Sequence, residues 1–196
     1  HHCPHDVSNL LAINHPLIVH PFTSLQAIKL SDFIISNKKQ AYLRISTSQL
    51  DLESLQFKKN MSPTFNLNKG EVHMYEKYDS FSKIGENKLS ILFGPDSKYL
   101  KDFEHIVNES STIFTITAIT KKSLSDLSLE INKYQEVYLF IPYEPSSLIL
   151  RLLKFIKTAN SVPSKMIAIH PTNRFFDNSY QKEFILKNFS EQSKII

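Results

Sequence analysis

Apolar and polar positions follow two periodic regimes along this chain, with a stretch of no period between them. From Leu17 to Val19 a short apolar run ends near Pro21, and Thr23-Ser24-Leu25-Gln26 has the form of a capping box. A helix is therefore predicted from there to about Ser36, with Ala27, Leu30 and Ile34 recurring on one face. Asn37-Lys38-Lys39 breaks that period, and Ala41 to Ile45 reads as a strand. Residues 47–84 sustain no period, contain Ser62-Pro63 and several Asn and Lys, and read as a linker.

The second regime begins at Leu89 to Phe93, an apolar strand closed by Gly94-Pro95, after which Tyr99, Phe103, Ile106 and Val107 fall on one helical face. Ile113 to Ile119 reads as the next strand, and Ser123 to Asp126 as a second capping box. Val137 to Ile141 is a continuous apolar run of the kind buried in a parallel sheet. An apolar helix is predicted over Ser147 to Ile156, a strand over Met166 to Ile169, and a closing helix through Tyr180, Phe184, Ile185 and Phe189. Strands alternating with helices predict an α/β domain from about Gly85 to the end. The first strand–helix–strand unit cannot cover both faces of a parallel sheet by itself, so it calls for a partner.

Composition narrows the chemistry. With 41% hydrophobic and 21% charged residues the chain is expected to be globular, and no apolar run approaches the roughly 18 residues of a membrane helix. A cytoplasmic setting is the expectation, because the first six residues lead into no signal-like apolar segment. The net charge of +4 comes from scattered lysines, with Arg44, Arg151 and Arg174 the only arginines, which predicts a solvated surface and no nucleic-acid stripe. Gly70, Gly85 and Gly94 are the only glycines, so no phosphate-cradling glycine-rich loop exists. Cys3 is the only cysteine, which excludes an internal disulfide. A zinc set of His1, His2, Cys3 and His5 lacks a distant second ligand pair, and no metal site is expected.

Five segments, in order, resemble the transketolase superfamily of thiamine-diphosphate enzymes. His1-His2-Cys3-Pro4-His5-Asp6 resembles the family's His-His segment at the cofactor-pocket mouth, and Asn14 to Pro21 its turn–strand–proline stretch. Gln40-Ala41-Tyr42-Leu43-Arg44 is similar to the strand that ends the pyrimidine-binding domain. Gly85 and Gly94 around Leu89 to Phe93 look like the entry to the C-terminal domain, and Ile169 to Phe175 like its closing segment. The chain departs from the pattern at Asn14, at Gln40, at Ser46 or Thr47, and at Pro142 to Ser147, which stands where the family has a glycine-rich turn.

The resemblance implies a strand–helix–strand remnant of a pyrimidine-binding domain in residues 1–60, a linker over 61–84, and a small three-layer α/β domain with a mostly parallel sheet over 85–196. It further implies that thiamine diphosphate and magnesium are held mainly outside this chain, because the family's activating glutamate and its magnesium motif have no counterpart here. The implied partner is a cofactor-binding transketolase-like portion or subunit in a homo- or hetero-dimer, acting on a small-molecule keto sugar phosphate or 2-oxoacid. His1 and His2 match catalytic positions, imidazole being suited to proton transfer near neutral pH; an initial His-His also fits a poorly ordered end. Arg44 and His20 match substrate-binding positions. Arg44 is suited both to gripping a phosphate or carboxylate and to an ion pair between units, and His20 to a pocket or a core. Asp6 reads as a helix cap or a catalytic acid, and His170 and Arg174 as interface residues. The altered turn and low glycine content equally suit a non-catalytic assembly or regulatory subunit of the same fold.

Overall fold

A computed structural model describes residues 6–14, 17–22, 24–45, 75–79, 87–94, 105–106, 110, 112–143, 146–156, 163–171 and 184–188. The N-terminal unit comprises α1 (Asp6–Ala12), β1 (Ile18–Val19), α2 (Ser24–Ser36) and β2 (Tyr42–Leu43). Then follow β3 (Tyr75–Asp79), β4 (Lys88–Leu92), β5 (Thr112–Ile116), β6 (Ala118–Ile119), α3 (Lys121–Ile131), β7 (Glu136–Phe140), α4 (Ser146–Ile156), β8 (Lys165–Pro171) and β9 (Phe184–Asn188).

The larger sheet has six strands in the order β3-β5-β4-β7-β8-β9. Its inner strands β5, β4, β7 and β8 are parallel, and β3 and β9 close the two edges antiparallel. The chain is thus α/β with a mostly parallel sheet. Period-two alternation sorts the strand residues into two faces. Leu89, Val137 and Met166 align across β4, β7 and β8, as do Ile91, Leu139 and Ala168, all buried in one cluster with Leu124, Leu127 and Ile131 of α3 and Leu148, Leu152 and Ile156 of α4. On the opposite face Leu92, Phe140 and Ile169 are buried as well, which is why β7 reads as a continuous apolar run from Val137 and β4 as one broken only by the buried Ser90.

A second sheet of three strands, β2-β1-β6, joins the N-terminal unit to the rest: β1 pairs parallel with β2 and antiparallel with β6. β6 follows β5 after the single residue Thr117, so one extended segment serves both sheets. Val7 and Leu11 of α1 and Ile18 of β1 belong to the same buried cluster as the larger sheet. Arg151 of α4 donates to the Leu11 carbonyl and, at 2.6 Å, to Asn14 Oδ1. It thereby occupies acceptors at the end of α1, where Asn14 turns the chain with φ 59°. Ser8 and Ser147 hydroxyls meet at 2.9 Å.

Several local expectations need correction. The stretch read as linker contains β3, whose ladder with β5 runs from Tyr75↔Ile116 to Asp79↔Thr112. The closing helix is replaced in its described part by β9, because pairing with β8 satisfies its backbone along a whole edge and overrides a spacing that also suits a helix; Tyr180 and Phe189 lie outside the described residues. α3 begins one turn before the predicted box. Thr120 is its cap: its hydroxyl accepts the Ser123 N–H at 3.0 Å while Ser123 Oγ accepts the Thr120 N–H at 2.8 Å. Among the described side chains of α2 the buried ones are Gln26, Leu30 and Phe33, and Gln26 accepts the Phe22 N–H at 2.7 Å. The strand predicted over Ile113 to Ile119 is β5 and β6, interrupted at Thr117. Of the helix expected after Pro95, only residues 105–106 are described, and they are helical.

Thr120→Ala removes one half of the reciprocal cap and is expected to cost about 1 kcal/mol. Leu139→Ala, which empties a fully buried site at the sheet centre, is expected to cost about 2–5 kcal/mol. Urea unfolding of the two variants against the parent checks both the values and their order.

Candidate functional site

In an open parallel sheet, ligands are bound beyond the carboxyl ends of the strands, where the strand order reverses. Here the chain passes from β4 outward to β5 and then crosses back to β7 on the other side of β4. The reversal therefore lies between the ends of β4 and β7, which lead to Gly94 and to Tyr143. Backbone bonds carry the ladder just past the strands, Phe93 N–H to the Phe140 carbonyl at 2.9 Å and Ile141 N–H to the Ile169 carbonyl at 3.0 Å.

This position is occupied by the N-terminal unit. His20 follows β1 directly, and its backbone N–H donates to the Thr117 carbonyl at 2.8 Å, at the bend between β5 and β6. Its ring lies where a side chain on Gly94 would be: a Cβ built there would come within 2.3 Å of His20 Nδ1. Gly94 has φ +122°, which also excludes an L side chain without strain. His20 is 6% exposed, and neither ring nitrogen has a hydrogen-bond partner. Burial, helped by the nearby Arg44 charge, lowers its pKa from 6.5 to about 3. The imidazole is neutral at any ordinary pH.

Arg44 follows β2 as His20 follows β1, with its N–H bonded to the Val19 carbonyl at 2.8 Å. Its guanidinium forms an ion pair with Asp6 through both carboxylate oxygens. Tyr42 donates to the same carboxylate at 2.8 Å, and Asp6 Oδ1 accepts the Val7 N–H at 2.8 Å. The Arg44 guanidinium carbon also lies 5.9 Å from the centroid of the Tyr143 ring, within cation–π range. Tyr143 is fully buried, its hydroxyl has no partner, and burial raises its pKa.

The structure thus brings His20 and Arg44 together, as the two substrate-binding candidates, and adds Asp6, Tyr42, Gly94 and Tyr143 around them. Arg44 forms its ion pair with Asp6 of its own N-terminal unit and not with the following domain, and Asp6 also accepts the Val7 N–H in the first turn of α1. His1, His2, Cys3, His5 and Arg174 lie outside the described residues. His170 is in β8, paired with Ile185 of β9. Tyr143 was not singled out from the sequence, although it lies in the turn whose composition departs from the family pattern. Among the described residues no group of three His, Cys, Asp or Glu side chains is placed to hold a metal ion, and no helix is long and apolar enough to cross a membrane.

Gly94→Ala is expected to destabilise the fold by more than the ~1–3 kcal/mol of backbone strain alone, because the new methyl group also displaces His20. In a His20→Ala background the displacement disappears and the strain remains. A double-mutant cycle by urea unfolding should therefore show a coupling of about 0.5–3 kcal/mol between the two positions.

Comparison of the chain with models of protein families, with curated proteins and with solved structures finds no match, so the reading of this site rests on its geometry and on the sequence.

Proposed function

We propose that this chain is a component of a thiamine-diphosphate-dependent, transketolase-like enzyme acting on a keto sugar phosphate or a 2-oxoacid, and that a partner polypeptide holds the cofactor. The observation that carries this reading is the seating of His20 and Arg44. They end two adjacent parallel strands and meet the reversal point of a mostly parallel α/β sheet, in the chain order that the resemblance implies for a pyrimidine-binding unit followed by a C-terminal domain.

The described residues do not fit a diphosphate and its magnesium. Gly94 is covered by an imidazole, Arg44 is engaged by Asp6, and no carboxylate cluster is available. No catalytic step is therefore assigned to them, and binding of the cofactor falls to the partner. The outer side of the N-terminal unit suits such a partner. β2 is an edge strand, and Ser31, Ile34, Ile35, Ala41 and Leu43 line an open, mainly apolar groove of about 220 Å³ beside it. Ile28, Ile35 and Ile45 are well exposed on the same unit, and an apolar groove beside an edge strand favours addition of a further strand.

A second reading, an assembly or regulatory subunit without chemistry, is favoured by one specific feature. Asp6, Tyr42 and Arg44 interact with one another at the reversal point, so that Arg44 has a carboxylate already in place.

Calorimetric titration of thiamine diphosphate with magnesium separates the two. Heat is expected only when the chain is mixed with a cofactor-binding companion from the same source, and Ile35→Asp should abolish the gain without unfolding the chain. Binding to this chain alone overturns the division of labour. A companion that binds the cofactor equally well without this chain leaves the assembly reading.

A further inference from the structure

We propose that His20 is an acid-sensitive latch: on gaining a proton its imidazole leaves the seat on Gly94 and releases β1 and β2 from β6. The argument is geometric. The ring is buried at the seam between the two sheets, fills the space that Gly94 lacks a side chain to fill, and offers two nitrogens that no acceptor meets. A neutral imidazole tolerates that seat. An imidazolium does not, because both of its N–H groups need acceptors and, among the described residues, no uncommitted anion stands beside it.

The charged and titratable groups around the seat reinforce this. From β2 comes the Arg44 guanidinium, whose positive charge opposes a second one on His20. From α1 comes Asp6, among the described residues the carboxylate of the cluster, which is committed to Arg44 and Tyr42. The turn after β7 contributes Tyr143, whose buried phenol is neutral, and of the described residues after β4 Gly94 alone meets the ring. Thr117 of the β5–β6 bend offers its carbonyl to the His20 backbone and not to the ring.

The seam is also short. β1 meets β6 over two residue pairs, of which Val19–Ala118 belongs to a small cluster with Leu17 and Leu30 while Ile18–Ile119 lies in the main core. A ladder this short, backed only in part by the main core, opens at lower cost than the longer ladders of the larger sheet. Linkage fixes the direction. The open form takes up a proton below its ordinary pKa of 6.5 while the seated form resists until about 3, so opening grows as pH falls through that interval and levels off below it.

Native-state hydrogen exchange on the whole chain tests this, with rates corrected for the intrinsic effect of pH. Between pH 7 and pH 4.5 the opening equilibrium at the His20 amide, whose bond to the Thr117 carbonyl crosses the seam, should rise on the order of 100-fold, with a much smaller rise at the β4 and β7 amides. His20→Phe, which retains a ring and cannot titrate, should abolish the rise. Should that variant fail to fold, NMR titration of the parent decides: the His20 ring signals must show no midpoint near 6.5 in the folded protein. A midpoint there, an unchanged profile in His20→Phe, or an equal rise at the β4 and β7 amides would overturn the latch.

Discussion

The arrangement of this molecule depends on one contact, the seating of the His20 ring on a glycine at the point where strand order reverses. A mostly parallel sheet with helices on its flank leaves a crevice at the carboxyl ends of its strands, and the two neighbouring turns determine what fills it. In this chain one turn supplies Gly94, with no side chain and a φ no other residue favours, and the other supplies a buried tyrosine. The strand–helix–strand unit fills the remaining space with His20 and Arg44. Once it is seated, β1 can extend the β5–β6 segment into a second sheet, and α1 can lie against α4 with Val7 and Leu11 in the common core.

The parts of the fold legible in the sequence are those whose signal is local or repeated. β4 and β7 were visible because both of their faces are buried, giving apolar runs that need no partner to be recognised. α4 was visible because its apolar residues recur at helical spacing. β3, with sequence Tyr-Glu-Lys-Tyr-Asp, was not: it is polar, and only its antiparallel pairing with β5 makes it a strand. β9 failed for the converse reason, since aromatic and aliphatic residues spaced as in a helix settle on the free edge of β8. α3 starts a turn before the expected box because Ser123 forms the inner half of a capping box whose cap is Thr120.

The candidate site divides in the same way. His20 and Arg44 were named through resemblance, each at the end of a short strand, and both lie where four strand ends converge. What no reading of the sequence supplies is the pairing across 70 residues or more that gives them their neighbours: His20 with Gly94, and Arg44 with Tyr143. Asp6 shows how two local readings merge. It bonds the first turn of its helix and neutralises Arg44 at the same time, and the second role is visible only when β2 has been placed beside β1.

Charge settles how this cluster differs from an ordinary anion-binding site. An arginine over a strand end with no counter-ion is an invitation to a phosphate or carboxylate, and a histidine with an acceptor on one nitrogen is ready for proton transfer. Here the arginine already holds a carboxylate oriented by Tyr42, and the histidine has lost water without gaining any acceptor. Desolvation of the imidazole is offset by packing, and the whole group carries no net charge. Such a cluster holds two structural units in register more readily than it stabilises a charge appearing in a reaction, so any chemistry performed by an assembly containing this chain has to be supplied by groups other than these.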